Sequence, residues 1–266
     1  MNPTPQRQAL VTGAAGGLGQ AISRRLARAG FGLALLDVAD GVHALADALR
    51  ADGHRAEAVQ ADLGDPAAIT AALATLQARL GPLDALVNNA GLTAHIAPLT
   101  RMKPAGWQRE LDINLTAPFL LTQALLPGMV ERGWGRIVNI SSIAGRGGLY
   151  QQAGYSATKA GIIGLTRATT LEHARHGISC NAILPGLIET EVVAKIPPAI
   201  MDDALALVPA RRNGRPDEVG ALVAFLCSDD AGFINGAEIE IDGGGHLCPV
   251  VLGSAKEIEA RRHPRG

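Results

Sequence analysis

The chain is poor in cysteine, in aromatic residues and in excess charge of either sign. Its 266 residues include three cysteines and 3% aromatics, and 24 basic against 25 acidic side chains leave a formal net charge of −1. Such a balance offers no general electrostatic attraction to nucleic acid or to an anionic membrane. Cys180, Cys227 and Cys248 form no CxxC pair, so we predict buried free thiols and neither a disulfide framework nor a zinc ribbon.

Two further absences bear on location and on metals. No uninterrupted apolar run approaches the roughly 18 residues of a membrane-spanning helix, and the polar start from Met1 to Gln8 has no basic-then-apolar secretory pattern. The seven histidines lack metal-ligand spacing, since His173 and His176 stand three apart with no third ligand evident nearby. We therefore expect a cytoplasmic protein that needs no metal and has neither a membrane nor nucleic acid as a partner.

The remaining sequence alternates short apolar runs with amphipathic stretches that are long enough for crossover helices. This pattern is typical of a mostly parallel sheet covered by helices on both faces. We predict an α/β fold, a single doubly wound domain with seven strands. The seven runs are Ala9 to Thr12, Leu33 to Asp37, Ala56 to Gln60, Ala85 to Asn88, Arg136 to Ile140, Ser179 to Leu184 and Glu238 to Ile241.

No linker, repeat or shift in composition divides the chain, so one domain over residues 1–266 is the better count. Its core is expected over residues 7–245. Two regions are irregular: residues 186–215, rich in proline and short apolar side chains, and the tail over residues 246–266. We interpret the first as a mobile flap and the second as a surface extension that either crosses a subunit boundary or frays.

A glycine-rich turn follows the first strand and opens the first helix. Its glycines are Gly13, Gly17 and Gly19, a spacing that differs from GxGxxG. Such a turn lets the backbone approach a diphosphate, and the helix N-terminus supplies free N–H groups and a favourable dipole. Asp37 ends the second strand, where a carboxylate can bind both ribose hydroxyls and repel a 2′-phosphate. We therefore expect NAD rather than NADP.

Tyr155 and Lys159 stand at positions i and i+4 of a helical stretch, on one face. An ammonium group close to a phenol lowers its pKa, so we expect Lys159 to bring Tyr155 towards acid/base chemistry near neutral pH. Ser142 lies just beyond the fifth strand, at the sheet edge that carries the glycine turn. It can donate to a carbonyl or alcohol oxygen, and the spacing alone does not separate it from Ser141.

Over residues 7–245 the chain resembles the short-chain dehydrogenase/reductase family. The resemblance rests on a set of motifs that agree in order and spacing with that family. They are the turn from Thr12 to Gly19, Asp62, the segment Asn88 to Gly91, Asn114, the set Ser142, Tyr155 and Lys159, and Pro185 and Gly186 with Thr190.

The resemblance implies a Rossmann-type domain that performs reversible hydride transfer between a nicotinamide and a carbinol carbon. Tyr155 would be the acid/base, Ser142, the second serine of its pair, would orient the substrate oxygen, and Asn114 would hold a water of a proton relay. Lys159 would bind the nicotinamide ribose and lower the pKa of Tyr155. The remaining cofactor residues would be Gly13, Gly17, Leu18, Gly19, Asp37, Asp62, Leu63, Asn89, Ala90, Gly91, Pro185, Gly186, Ile188 and Thr190.

Substrate choice is expected to lie with Leu92 to Ile96, Ile143 to Gln152 and Leu187 to Val208. The predicted pocket residues are Ser142, Ala144, Leu149, Gln152, Tyr155 and Leu187. Because these segments are mainly apolar, we predict a secondary alcohol/ketone couple on a medium-sized hydrophobic or aryl substrate. A 3-oxoacyl-thioester reductase and a non-catalytic NAD-binding sensor or scaffold are the alternatives.

A stripe of small residues follows the helix of Tyr155, with Gly154, Ala157, Gly161, Gly164 and Ala168 at steps of three and four. Such residues permit close helix packing, either on the chain's own sheet or on another subunit. The family resemblance implies a homotetramer, or a dimer, built partly on this helix.

Overall fold

The computed structural model describes residues 6–92, 96–191 and 193–247. The strands are β1 (Gln8–Thr12), β2 (Gly32–Asp37), β3 (Ala56–Gln60), β4 (Ala85–Asn88), β5 (Gly135–Ile140), β6 (Ile178–Pro185) and β7 (Glu238–Ile241). They form one seven-stranded sheet in the order β3-β2-β1-β4-β5-β6-β7, and every neighbouring pair is parallel. The predicted doubly wound α/β fold is confirmed, and each predicted strand is present within one residue of its expected bounds.

Helices cover the sheet on both faces. Alternate side chains of β1 point to opposite faces, so that Ala9 and Val11 join one core cluster and Leu10 joins the other. The helices are α1 (Gly17–Arg28), α2 (Gly41–Ala51), α3 (Pro66–Leu80), α4 (Pro104–Leu111), α5 (Ala117–Arg132), α6 (Ala144–Gly147), α7 (Ala153–His173), α8 (Pro198–Leu207) and α9 (Pro216–Leu226). The first cluster includes side chains of α1, α2 and α9, and the second includes side chains of α3 and α5.

The order of the strands reverses between β1 and β4. From β1 the chain moves outward to β2 and β3, then returns to place β4 on the other side of β1. In open parallel sheets such a reversal leaves a crevice beyond the carboxyl ends of the strands, because the crossover helices diverge to opposite faces there. The glycine turn after β1 and the segment Asn89 to Gly91 after β4 border this crevice.

Within the part of the chain that the structure describes, one helical stretch, Pro104–Arg132, is long and apolar enough by length and composition to cross a membrane. The core helix of a soluble protein passes the same test, and a single such stretch is weak evidence. Here Ala117, Leu121, Leu125 and Met129 are buried in the second core cluster.

The region over residues 186–215 is more regular than predicted. It holds a short 3₁₀ turn at Val193–Lys195 and helix α8 at Pro198–Leu207. Pro198 occupies the first turn of α8, where its missing N–H is tolerated, and good helix formers follow it. The expectation of an irregular segment was therefore wrong for these residues.

The cysteine prediction is confirmed where the structure describes it. Cys180 and Cys227 are free and buried, and burial raises the pKa of each thiol to about 12. Cys248 and nearly all of the tail lie outside the described residues, which end in a 3₁₀ turn at Gly245–Leu247. His173 and His176 are half-buried rather than fully solvated, and the described residues contain no group of three or more potential metal ligands.

Candidate active site

A cavity of about 630 Å³ opens at the carboxyl edge of the sheet. It is lined by residues that follow β1, β2, β3, β4, β5 and β6, so the crevice at the strand reversal and the candidate catalytic groups share one space. All the predicted cofactor residues lie on its wall: Gly13, Gly17, Leu18, Gly19, Asp37, Asp62, Leu63, Asn89, Ala90, Gly91, Tyr155, Lys159, Pro185, Gly186, Ile188 and Thr190.

The glycines of the first turn have different structural roles. Gly13 has φ +63°, and a Cβ there would lie 2.8 Å from the Cα of Ala90. A Cβ on Gly19 would overlap the carbonyl oxygen of Gly13, whereas a Cβ on Gly17 would meet no atom within 4 Å. Gly13 and Gly19 are therefore required by the fold itself, while Gly17 leaves space in the cavity.

Helix α1 presents an uncapped N-terminus to that space. Its N-cap residue, Gly16, makes no side-chain capping hydrogen bond, and Gly16 to Gly19 line the cavity. The first N–H groups of a helix have no partner within the helix, and they carry the positive end of its dipole. The cradle therefore fits a diphosphate.

Asp37 is held at the end of β2 by two backbone groups. Its Oδ2 accepts from the N–H of Ala15 at 2.9 Å, and its Oδ1 accepts from the N–H of Ala39 at 2.8 Å. Each carboxylate oxygen keeps lone pairs that can accept from hydroxyl groups. Among the described residues, the basic side chains on the cavity wall are Arg109 and Lys159.

Asp62 follows β3 and is paired with Arg109 of α4. Nη2 of Arg109 lies 2.8 and 2.7 Å from the two carboxylate oxygens, and the N–H of Gly64 donates to Oδ1 at 2.8 Å. The bond from Arg109, and next the bond from Gly64, hold the pKa of Asp62 below its usual value. Asp62 therefore stays an acceptor through the neutral range.

The ends of β1 and β4 are tied together beneath the cavity. Thr12 Oγ1 accepts from the N–H groups of Asn89 and Ala90 at 3.0 and 3.1 Å. In return, Nδ2 of Asn89 donates to the carbonyl oxygens of Thr12 and Gly13 at 2.9 and 3.1 Å. These bonds fix the turn after β1 against the turn after β4.

Asn114 lies in a π-helical turn, Asp112–Thr116, between α4 and α5. Its buried side chain accepts from the N–H of Leu92 at 2.7 Å and donates to the carbonyl of Leu92 at 3.0 Å. Nδ2 also lies 3.2 Å from the Thr158 hydroxyl of α7. Asn114 is not part of the cavity wall, so its predicted role in a water relay stays a prediction.

Ser142, Tyr155 and Lys159 meet on the cavity wall. The Ser142 hydroxyl lies close enough to the Tyr155 phenol to lower its pKa, and Nζ of Lys159 lies 5.6 Å from the centre of the Tyr155 ring. Nζ donates to the carbonyl of Ile140 at 2.7 Å, at the end of β5. A hydroxyl, a phenol and an ammonium group are thus placed together where a strand end meets a helix.

The pKa shifts differ from the sequence expectation. Burial lowers the pKa of Lys159 to about 8. The pKa of Tyr155 is raised, mainly by burial; the Ser142 hydroxyl lowers it in part, and the charge of Glu110 raises it further. The expected lowering by Lys159 is therefore absent, because desolvation of the phenol dominates and the ammonium group is directed to a backbone carbonyl.

The two neighbouring serines have distinct partners. Ser141 donates from Oγ to the carbonyl of Lys159 at 2.7 Å and is buried. Ser142 Oγ accepts from the N–H of Ala144 at 3.1 Å and faces Tyr155. Ser142 is therefore the better placed of the two to contact a substrate oxygen, a choice that spacing alone left open.

The predicted substrate residues are brought to the cavity only in part. Ser142 and Tyr155 line it, but Ala144, Leu149, Gln152 and Leu187 do not. Ala144, the first residue of α6, is buried, and Leu149 is 48% exposed. Residues 93–95 and 192, which include predicted substrate contacts, lie outside the described residues.

Sequence reasoning missed several residues of the wall, among them Arg109 and Ile113. Arg109 lies in α4 and Ile113 lies four residues later in the π-helical turn, so helical periodicity beside Asn114 could have identified them. It also missed Glu110, whose side chain is fully buried. A Cβ on Gly154 would overlap its carboxylate, so glycine before Tyr155 makes room for it.

Known proteins that are similar to this chain include several oxidoreductases. Residues 13–246 match a family model described as enoyl-(acyl carrier protein) reductase. The chain is 42% identical to cis-4-hydroxycyclohexanecarboxylate dehydrogenase of Sinomonas cyclohexanicum, covering 90% of this chain and 96% of that one. It is 42% identical to acetoacetyl-CoA reductase of Rhizobium meliloti, covering 91% and 99%. The crystal structure of levodione reductase superposes with a TM-score of 0.87 at 35% identity, covering 91% and 98%.

Proposed function

The chain belongs to the short-chain dehydrogenase/reductase family of oxidoreductases, and on that premise we propose that it is an NAD-dependent enzyme interconverting a secondary alcohol and a ketone. The observation that carries the proposal is the meeting of Ser142, Tyr155 and Lys159 on the wall of a cavity that fits a dinucleotide. The bound nicotinamide would supply or accept the hydride.

NAD is favoured over NADP by the surroundings of Asp37. Both of its oxygens are oriented by backbone N–H groups, and a carboxylate there repels a 2′-phosphate. Neither basic residue on the described part of the wall is free to neutralise a 2′-phosphate, since Arg109 is paired with Asp62 and Lys159 donates to the carbonyl of Ile140. The diphosphate would lie at the N-terminus of α1.

The chain's own groups can hold and move the proton. Tyr155 is neutral at pH 7, and its raised pKa keeps it so at higher pH, so its hydroxyl can donate to a developing alkoxide. Ser142 can hydrogen-bond the same substrate oxygen and hold it beside the phenol. Lys159 can stabilise the phenolate when the proton has left and can donate to a ribose hydroxyl.

The substrate that we propose is a medium-sized hydrophobic or aryl secondary alcohol or ketone. The names of the cyclohexanecarboxylate dehydrogenase and of levodione reductase suit such a cyclic couple. Acetoacetyl-CoA reductases at 42% and 43% identity favour a 3-oxoacyl thioester as the second candidate. The Asp37 carboxylate would repel the 2′-phosphate of NADPH, which argues against a reductase that depends on that cofactor.

The test is absorbance at 340 nm with NAD and NADP offered separately against cyclic alcohols, aryl carbinols and their ketones, and with acetoacetyl-CoA and each reduced cofactor. We expect turnover with NAD on the cyclic or aryl panel. Tyr155→Phe should lower kcat by about 10²–10⁴-fold while NADH binding persists, and Tyr150→Phe is the matched control because Tyr150 is 87% exposed. Undiminished turnover in Tyr155→Phe would refute the assignment, and dinucleotide binding without turnover of any kind would favour the sensor alternative.

We also propose a homotetramer, with a dimer as the alternative, working in the cytoplasm without a nucleic-acid or membrane partner. On α7, Ala157, Gly164 and Ala168 are exposed and Leu171 is 87% exposed, which supports a helix-to-helix contact between copies. Light scattering coupled to gel filtration measures the assembly. Gly164→Glu should dissociate it, and an unchanged mass would exclude α7 as the contact.

A further inference from the structure

A buried carboxylate lies against the turn of α7 that carries Tyr155. Glu110, near the end of α4, is fully buried. A Cβ on Gly154, the residue before Tyr155, would overlap Oε2 of Glu110 and would lie 3.4 Å from Cε3 of Trp107. Trp107 and Glu110 stand three apart in α4, on one face of the helix. That face of α4 therefore packs on Gly154, and it brings the carboxylate to the start of the helix that holds Tyr155.

Three elements place polar or charged groups close to the Tyr155 phenol. From α7 itself comes Lys159, whose Nζ lies 5.6 Å from the ring centre and donates to the carbonyl of Ile140. From the loop after β5 comes Ser142, and from α4 comes Glu110. Burial is the largest cause of the raised pKa of Tyr155; the Ser142 hydroxyl lowers this pKa in part, and the charge of Glu110 raises it.

The geometry gives a physical reason for the effect of Glu110. A carboxylate and a phenolate repel each other, and the repulsion is stronger where little water lies between them. Glu110 needs to be ionised only where the phenol begins to lose its proton. Carboxyl groups ordinarily ionise near about pH 4.3, and strongly buried ones by about pH 9. The negative charge is therefore present over the range in which Tyr155 titrates, and it opposes loss of the phenolic proton.

We propose that Glu110 is a positioning residue that sets the pH above which Tyr155 can accept a proton from an alcohol. The inference rests on the proposed function, in which Tyr155 exchanges a proton with the substrate oxygen. Alcohol oxidation uses the phenolate, whose oxygen takes the hydroxyl proton of the alcohol, and ketone reduction uses the phenol. Glu110 is not among the described residues of the cavity wall, so it acts through Tyr155 and not by contact with the substrate.

The test measures the ionisation of Tyr155 directly. The chain has two tyrosines, so in a Tyr150→Phe background the ultraviolet absorbance of tyrosinate reports on Tyr155 alone. Tyr150 is 87% exposed, and the measurement needs neither substrate nor dinucleotide. At pH 9.5, Glu110→Gln should carry about three- to tenfold more tyrosinate than its background, as expected for a shift of about half to one pH unit. Glu110→Asp keeps the charge and should stay closer to the background.

This pair of variants separates charge from packing. Glutamine has the shape of glutamate without its charge, whereas aspartate keeps the charge and leaves a gap. A structural role predicts the larger change in Glu110→Asp, and an electrostatic role predicts it in Glu110→Gln. Glu172→Gln is the matched control, because it removes an exposed carboxylate from the other end of α7, roughly 25 Å from Tyr155 along the helix. It should leave the amount of tyrosinate unchanged.

The kinetic readout is the pH profile of kcat/KM for alcohol oxidation. Its rising limb should move to lower pH by about half to one unit in Glu110→Gln, and it should stay in place in Glu172→Gln. Circular dichroism at each pH confirms that the variants are folded. Should Glu110→Gln fail to fold, Glu110→Met supplies a neutral side chain that is unbranched and adaptable.

The outcomes separate the two proposals. If Glu110→Gln carries no more tyrosinate than its background, or if Glu110→Asp carries as much as Glu110→Gln, the role of Glu110 is refuted and the proposed function stands. If tyrosinate increases but the rising limb of the pH profile does not move, Tyr155 is not the group that takes the proton, and both proposals fail on that point. If wild type turns over no alcohol or ketone, the proposed function fails, while the absorbance still shows whether Glu110 controls the ionisation of Tyr155.

Discussion

Two glycines of the first turn, Gly17 and Gly19, should respond in opposite ways to the same added methyl group. A Cβ on Gly19 would overlap the carbonyl oxygen of Gly13 and lie 2.8 Å from the Cα of Ala14. The Gly13 oxygen and the Ala14 Cα are both backbone atoms, so rotation of a side chain cannot relieve the overlap. The turn that contains them is held by the hydrogen bond from the N–H of Ala90 to Thr12 Oγ1. Gly19→Ala should therefore lower the free energy of unfolding by about 3 kcal/mol.

A Cβ on Gly17 would meet no atom within 4 Å, and Gly17 begins α1. Alanine has a higher helix propensity than glycine, so Gly17→Ala should keep the stability of wild type or gain about 0.5 kcal/mol. The space left open belongs to the cavity, where an anion would approach the N–H groups of α1 to about 2.9 Å. A methyl group there should hold the diphosphate away and weaken NADH binding by about tenfold or more.

The assay combines thermal unfolding with NADH titration on both variants. Gly19→Ala should lower Tm by about 6–10 °C for a domain of this size, while Tm of Gly17→Ala should stay within about 2 °C of wild type. Gly17→Ala should show the selective loss of affinity. Wild-type affinity in Gly17→Ala would refute the placement of the diphosphate at the α1 N-terminus, and an unchanged Tm in Gly19→Ala would refute the steric reasoning.

Three further predictions concern charge. The pKa of Lys159 is about 8 in the folded protein against 10.5 for a free lysine, so between these pH values the unfolded chain binds more protons than the folded one. The free energy of unfolding of wild type, relative to that of Lys159→Met, should therefore rise by about 3 kcal/mol as pH increases through this range. Urea unfolding at pH 7.5 and at pH 10.5 measures the difference. Alcohol oxidation needs the Tyr155 phenolate and ketone reduction needs the phenol. Because the pKa of Tyr155 is raised, kcat/KM for oxidation should still be rising through pH 9, whereas kcat/KM for reduction should not rise. Identical pH profiles in the two directions would contradict this. Asp229 accepts from Arg7 and from Trp134 and lies 3.8 Å from buried Arg136, so Asp229→Ala should lower Tm by about 2–5 °C, and equal loss in Asp230→Ala, its exposed neighbour, would argue against a specific role.

The sheet and most of the cavity wall could be predicted from sequence because each depends on local patterns. A buried parallel strand is a short apolar run, and the residue after it lies at the carboxyl edge, so Gly13, Asp37 and Asn89 could be placed together before any contact was known. The resemblance to a known family added roles that spacing does not supply, as in the choice of Ser142 over Ser141.

Features that depend on contacts between distant segments were not predictable in the same way. The π-helical turn at Asn114 inserts one residue into an apolar helical stretch whose hydrophobic pattern continues through it. The i, i+4 spacing of Tyr155 and Lys159 places both side chains on one face, but it does not reveal that Nζ donates to Ile140, so the predicted direction of the Tyr155 shift was wrong. Likewise, Asp62 and Arg109 carry no local sign of their pairing.

The order of the strands places the residues expected to bind the cofactor and the residues expected to react at different ends of the cavity. Two predicted cofactor residues, Asp62 and Asp37, follow β3 and end β2, whereas the reacting groups follow β5 or lie on α7. The hydrogen bonds between Thr12 and Asn89 hold the two halves in fixed relation across β1 and β4. Substitutions at the β2–β3 end should therefore change KM for the dinucleotide, and substitutions at the β5–α7 end should change kcat. Loss of the Thr12 hydrogen bonds should change both, because the two halves of the cavity could then shift relative to each other.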